Sequence, residues 1–177
     1  MSDNLFTTIE CEGIVELTLK DKFGNIKDHR KVHNRIVDTG LDLIASLITG
    51  QPNDPNFISR PLYIGIGSES TTVTASDVRL HGHLIRKRIE QTERVENNVT
   101  FTANFLPGEP NYQNVRIGEV GLYNAPTNGV LFNRCVFSSM YKEIDDELTI
   151  RITISVYGQE SKYDTLRPDD TPTPTGP

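Results

Sequence analysis

The stretch that decides the fold reads Glu119-Val120-Gly121-Leu122-Tyr123-Asn124-Ala125, then Asn128-Gly129, then Val130-Leu131-Phe132-Asn133-Arg134-Cys135-Val136-Phe137. Two apolar runs flank a short polar segment holding Asn-Gly, the dipeptide suited to the backbone of a tight hairpin. No group in the stretch is arranged for bond-making chemistry, so it specifies a β-hairpin. Gly121 marks a bulge or a close backbone approach within its strand, and Gly129 marks the turn. Glu119 lies in an otherwise apolar strand. Arg134 stands near-symmetrically across the turn, so the two residues are expected to form a cross-strand ion pair that fixes hairpin register.

Outward from this hairpin, period-2 patterns dominate. In residues 147–157, Leu148, Ile150, Ile152, Ile154 and Val156 alternate with polar residues, as do Val15, Leu17 and Leu19 in residues 13–20. Gly24 and Asn25 supply a turn leading to a polar strand at residues 26–37, near a sheet edge. Further strands are expected at 62–67, 84–95, 99–105, 115–123 and 130–137, and a helical turn at 77–83.

One helix is expected, at residues 38–49. Its expected start is a variant capping box, Thr39-Gly40-Leu41-Asp42, and Gly50 suits the position past its end. Leu41, Ile44, Ala45, Leu47 and Ile48 form its apolar face, which must pack on the sheet because so short a helix is marginal alone. About eight short strands and one helix indicate a mainly β chain, an antiparallel β-sandwich or jelly-roll-like domain with one short packed α-helix. The domain is expected to span residues 1–158. Residues 159–177 are expected to form a flexible, acidic tail with Pro168, Pro172, Pro174 and Pro177.

Composition narrows the function classes. The chain has 177 residues, a net charge of −6, ten Pro, thirteen Gly and no Trp. Its pI of about 5.2 argues against nucleic acid or anionic lipid as partner. The basic run Arg86-Lys87-Arg88 is followed by Glu90, Glu93 and Glu96 and reads as a solvated strand face. No run approaches 18 apolar residues, so no membrane-spanning helix is expected. Cys11 and Cys135 match no metal spacing; Cys135 reads as a buried thiol, and a disulfide between the two is disfavoured in a reducing cytosol.

The site motifs are sparse. Gly65-Ile66-Gly67 lacks the third glycine and the helix of a phosphate loop and reads as a turn or bulge. His29 and His33 are separated by a strand length too great for one metal. His81 and His83 are the one candidate metal pair, and would require copies of the chain around a common axis. The clusters Asp145-Asp146-Glu147 and Asp164/Asp169/Asp170 lack the alternation and glycine of a calcium loop and read as a solvated turn and an acidic tail. Any 24 acidic residues offer carboxylate pairs, so no glycosidase site follows. No catalytic residue, cofactor or enzymatic activity is expected.

Five segments in order resemble tail-associated virion structural proteins of tailed bacteriophages, of the fibre, baseplate or neck component type. They are Asn34-Arg35-Ile36-Val37-Asp38-Thr39-Gly40; Tyr63-Ile64-Gly65-Ile66-Gly67-Ser68; Val99-Thr100-Phe101-Thr102-Ala103-Asn104-Phe105; Ile117-Gly118-Glu119-Val120-Gly121-Leu122-Tyr123-Asn124; and Leu131-Phe132-Asn133-Arg134-Cys135-Val136-Phe137 with Lys142. The resemblance covers roughly residues 30–157. It implies a homo-oligomer, a trimer or hexamer, made in the bacterial host cytoplasm and built into a particle with other virion proteins. The chain has no long repetitive shaft, which favours an anchoring, adaptor or collar role over receptor binding. The alternatives are a capsid decoration protein and a host-glycan-binding module, in which Tyr63, Tyr112, Tyr123 and Tyr141 would supply stacking rings.

Overall fold

In the computed structural model, which describes residues 7–50 and 59–160, the chain forms nine strands and one helix. They are β1 (Thr7–Lys20), β2 (Ile26–Ile36), α1 (Asp38–Thr49), β3 (Tyr63–Gly67), β4 (His83–Arg88), β5 (Gln91–Val95), β6 (Asn98–Phe105), β7 (Asn114–Tyr123), β8 (Leu131–Glu143) and β9 (Glu147–Glu160). Every ladder is antiparallel, and the strands lie in the order β4-β3-β7-β8-β2-β1-β9-β6-β5. The chain is thus mainly β with one short helix, as its alternation predicts.

The sheet is long enough to curl onto itself. Its two arms meet at one side through a ladder of only two pairs, Arg35 with Arg134 and Ile36 with Asn133. At the other side a single bent strand joins them. Residues 84–95, read from the sequence as one strand, are divided at Ile89 and Glu90 into β4 and β5. The Ile89 amide donates to the Leu62 carbonyl beside β3, and the next amide, of Glu90, donates to Thr102 in β6. Consecutive amides therefore bind opposite arms, and the half-buried Ile89 packs against the core between them.

Alternation places three matched layers in that core. Val15, Ile152 and Phe101 are register partners across β1, β9 and β6; so are Leu17, Ile150 and Ala103, and Leu19, Leu148 and Phe105. All nine are buried, and Ile64, Ile66, Val120, Leu122, Cys135 and Phe137 join the same cluster from the facing arm. At about 25 cal/mol per Å² of apolar surface removed from water, this burial is the main favourable term of folding.

The helix spans the expected residues and stops as expected, at Gly50 in the left-handed region (φ 60°). Its start differs. The N-cap is Val37, with no side-chain cap. Thr39 lies inside the first turn, and its hydroxyl donates to the Leu131 carbonyl at 2.6 Å. The sheet carbonyl has won the hydroxyl from the capping box. The packed face also differs from the expected one. Gly40 and Leu43 are buried against the sheet and Ile44, half-buried, packs on the core as expected, whereas Leu41, Ala45, Leu47 and Ile48 are exposed. Gly40 permits this closeness, because a Cβ there would overlap the Phe132 carbonyl oxygen.

Other boundaries shift by the same logic. Residues 77–82 are loop and turn, not helix, and His83 opens β4. β8 continues six residues beyond Phe137, and β9 reaches Glu160, so strand replaces the first two residues of the expected tail. The rest of that tail lies outside the described residues. Both cysteines are free, with Cys135 buried as expected; burial pushes its thiol up to about 12.

Replacing Gly40 by Ala is expected to lower stability by about 1–3 kcal/mol, the usual cost of forced overpacking. Urea unfolding checks this: an unchanged midpoint would mean that α1 does not approach β8 so closely.

Candidate functional site

A break in register between β7 and β8 creates the most heavily charged buried region. Before it, Val115 and Ile117 face the core; after it, Val120 and Leu122 do. Between the pairs Ile117–Met140 and Glu119–Val136, Gly118 alone in β7 stands against Phe137, Ser138 and Ser139 in β8. Across this break the inward set of β7 passes from odd to even positions, so the side chains that follow face the other way. Glu119 and Tyr123 thereby leave the main core for the outer surface of the arm, and residues 68–82 lie over them.

Glu119 and Arg134 are both fully buried and form the ion pair expected from the sequence, with Arg134 Nη2 2.8 Å from Glu119 Oε2. Arg134 Nε donates to the same oxygen, also at 2.8 Å. The two are diagonal neighbours: Gly121 lies opposite Arg134, and Val136 lies opposite Glu119. At Gly121 a Cβ would sit 2.7 Å from the Asn133 carbonyl oxygen, so this is a close backbone approach.

The pair does more than join two strands. Glu119 Oε1 accepts from the Gly82 amide at 2.6 Å, and Oε2 from the His81 amide at 3.2 Å. Arg134 Nη1 donates to Asp77 Oδ2 at 2.9 Å and Nη2 to Thr71 Oγ1 at 3.1 Å. One guanidinium therefore meets two carboxylates and a hydroxyl. The remaining negative charge is met by backbone donors, since unpaired buried charge is expensive. Burial pushes the Asp77 carboxyl upward, but the Thr74 amide and hydroxyl and Arg134 outweigh it and hold Asp77 at about 2. The Thr74 contacts are 3.1 and 2.8 Å long.

The same covering loop is fixed at its other points. The Leu80 amide donates to Tyr123 Oη at 2.8 Å. The Ala75 carbonyl accepts from the Asp38 amide at the start of α1 at 2.8 Å. Arg86 stacks on the Tyr123 ring, 3.4 Å from its centroid, and donates to the Ala125 carbonyl at 2.9 Å. Lys87 pairs with Glu109 at 2.6 Å. Two members of the basic run thus make internal contacts, where a solvated face was expected.

His81 and His83 have different surroundings. His81 Nδ1 lies 2.7 Å from Thr71 Oγ1, and its Nε2 lies 3.4 Å from Asp77 Oδ1. Burial and Arg86 hold the His83 imidazole below its ordinary value, against the pull of Glu119. Among the described residues no three His, Cys, Asp or Glu side chains gather as a metal site. His29 lies 3.7 Å from Glu16, and His33 lies 3.0 Å from Glu12. The hydroxyl–imidazole–carboxylate line Thr71–His81–Asp77 has the residue types of a nucleophilic triad. Its threonine oxygen, however, also accepts from Arg134, which withdraws the electron density that a nucleophile needs. The arrangement anchors the loop.

Gly129 closes the β7–β8 connection, where Asn124 Oδ1 accepts from the Val130 amide at 2.7 Å. A Cβ at Gly129 would sit 2.7 Å from that oxygen; Asn128, not Gly129, takes the positive φ of 51°. Asp146, expected in a solvated turn, is buried and bonds Lys27 Nζ at 2.6 Å and the Glu143 amide at 2.8 Å. Lys142 is also buried, donating to the Leu106 carbonyl at 3.2 Å. Burial lowers its affinity for the proton, while Asp146, Glu109 and Glu147 oppose that shift.

No protein-family model, no curated protein and no solved structure matches the chain.

Arg134→Ala would leave Glu119 and Asp77 buried without their cation, so a loss of about 3–5 kcal/mol is expected in urea unfolding. Glu119→Ala should cost clearly more than a surface change, and a loss within about 0.5 kcal/mol would discard the anchoring role. Asp77 supplies a separate test through acid. Its folded value lies below its ordinary one, so its stabilisation is complete above about pH 4. It disappears as pH falls towards 2, with roughly 2 kcal/mol at stake. Acid titration of wild type and Asp77→Asn should show this step in the former alone; identical profiles would remove Asp77 from the network.

Proposed function

We propose that the chain is a tail-associated structural protein of a bacteriophage virion, serving as a fibre-anchoring, baseplate or neck and collar adaptor. It works by forming a homo-oligomer, a trimer or hexamer, and by binding neighbouring virion proteins. It is made in the bacterial host cytoplasm and resides in the particle.

The observation that carries this reading is the fate of the residues in which the resemblance lies. Gly40, Gly65, Glu119, Gly121, Arg134 and Lys142 make close backbone approaches or buried charged contacts. These residues fix the shape of a rigid body, as an assembly component requires. Its free groups are at the periphery. All five residues of β5 are exposed, and an edge strand can accept a strand from a neighbour.

Tyr112 and Tyr141 are exposed, which favours glycan binding as a second reading. Tyr123 is buried beneath Arg86, so it does not contribute a ring to such a platform. Capsid decoration is a third reading, distinguished by copy number.

Immunogold labelling of phage particles, with peptide mass spectrometry of purified virions, tests the proposal. Gold at the neck, baseplate or fibres is the expected result. Gold over the head selects capsid decoration, and absence of the chain from virions rejects a structural role. Removal of residues 164–177 is expected to leave the melting temperature unchanged and to reduce incorporation; normal incorporation would relieve the tail of any assembly role.

A further inference from the structure

We propose that Asn128, in the β7–β8 turn, is a site of spontaneous covalent modification at which the folded chain converts its asparagine into isoaspartate and aspartate. The inference goes beyond the virion reading and does not depend on it. Asparagine is a thermolabile side chain, and it is lost through attack by the backbone nitrogen of the next residue. That attack needs an accessible side-chain amide and a following N–H that no hydrogen bond holds. It also needs the following residue to carry no side chain that blocks the approach.

The turn meets all three needs. Asn128 is the one asparagine in the chain that precedes glycine, and it is exposed. The turn is held at its base. There the Asn124 amide donates to the Val130 carbonyl at 3.3 Å, the Val130 amide to Asn124 Oδ1 at 2.7 Å, and Arg86 to the Ala125 carbonyl at 2.9 Å. Among the described residues no hydrogen bond reaches positions 126–129, so the Asn128 side chain and the Gly129 amide are both unengaged. Other exposed asparagines are bonded or shielded. Asn25 Nδ2 donates to Asp21 at 3.0 Å and precedes the β-branched Ile26, and Asn97 Nδ2 donates to the Val156 carbonyl at 2.6 Å. Asn111 and Asn114 precede the bulky Tyr112 and Val115.

The hairpin itself requires this dipeptide. Asn128 has a φ of 51°, a left-handed conformation that asparagine tolerates better than most residues. At Gly129 a Cβ would sit 2.7 Å from both the Ala125 nitrogen and Asn124 Oδ1. Packing of the turn therefore excludes the side chain that would slow the attack.

In the reaction the Gly129 nitrogen gives up its proton and bonds to Asn128 Cγ. The Cγ–Nδ2 bond breaks and ammonia leaves, closing a five-membered imide. Water then opens the imide. Attack at Cγ yields aspartate, and attack at the Asn128 main-chain carbonyl carbon yields isoaspartate, whose backbone runs through Cβ and Cγ. One water is consumed and one ammonia released, with no oxidation or reduction. Either product adds a negative charge to a chain already at −6. Isoaspartate also lengthens the main chain by a methylene, in a turn that sets the register of the ladder from Tyr123 with Leu131 onward. Tyr123 and Leu131 are fully buried, and the Leu131 carbonyl holds Thr39 of α1, so the longer turn strains fixed neighbours.

The test is to incubate the full chain in warm buffer at mildly acidic and mildly alkaline pH. Peptide mass spectrometry, with fragmentation that separates isoaspartate from aspartate, follows each asparagine. The expected result is conversion at Asn128 before any other asparagine, faster at alkaline pH, where the attacking nitrogen loses its proton more readily. Isoaspartyl methyltransferase should then label wild type and not Asn128→Gly, a variant whose glycine accepts the positive φ and whose fold circular dichroism verifies. A urea-unfolded sample gives the rate without structure. Retention of Asn128 by the folded chain while the unfolded sample converts it, or earlier conversion at another asparagine, overturns the proposal. The isoaspartyl form, separated by ion exchange, is expected to melt below the unmodified chain; equal melting temperatures would overturn the strain on the hairpin.

Discussion

The outer surface of the β7–β8 arm depends on where one guanidinium can find compensation. Arg134 leaves the sheet on the face opposite the main core and is fully buried there. A cation so placed requires carboxylates within reach, and Glu119 and Asp77 provide them from a neighbouring strand and from a distant loop. Two carboxylates around one cation then require further donors, which the amides of Thr74, His81 and Gly82 supply. The conformation of residues 68–82 follows from this sequence of requirements. So does the position of α1, whose first amide binds the Ala75 carbonyl of the same loop. An interior ion cluster of this kind adds little net stability over a well-packed apolar substitute, but it tolerates few alternative geometries.

The sequence showed most of this fold in its alternation. The eleven-position pattern in residues 147–157 and the shorter one in 13–20 became the paired central strands, because a half-buried strand writes its facing directly into sequence. Glu119 and Arg134 were legible because charged residues in an apolar strand demand partners. Asp77 was not, since it lies in a polar loop where carboxylates are ordinarily solvated. The spacing Thr74-x-x-Asp77, in which a threonine caps an aspartate three residues on, was the one local sign of an ordered turn. The bend at Ile89 and Glu90 was hidden because no Gly, Pro, Asn or Asp interrupts residues 84–95, so nothing local marks the change of partners. The packed face of α1 was misread for a related reason. Its apolar positions from Gly40 to Ile48 form a wide arc opposite Asp38, Asp42, Ser46 and Thr49, and Gly40, the residue allowing close approach, decided which part of that arc meets the sheet.

Charge is distributed unequally between interior and periphery. Arg86, Lys87, Arg134 and Lys142 are half-buried or buried in contacts with carboxylates, carbonyls or an aromatic ring. Several basic groups are thus spent internally, while many acidic groups remain outside. The outward surface therefore carries an excess of negative charge, which opposes indiscriminate approach between copies.

The middle seam of the sheet has a consequence for synthesis. β1 and β9 are the first and last strands among the described residues, yet they are central in the sheet, and their ladder runs from Thr7 with Glu160 to Lys20 with Glu147. While the chain is still emerging from the ribosome, the β1–β2 hairpin has one open edge and no partner for it. The β1–β2 and β5–β6 hairpins can be joined through β9 only after that strand is released. Long-range pairing of this kind slows folding and exposes strand edges meanwhile. Chaperones would therefore meet this chain with β1 to β8 already made and its central ladder still to form.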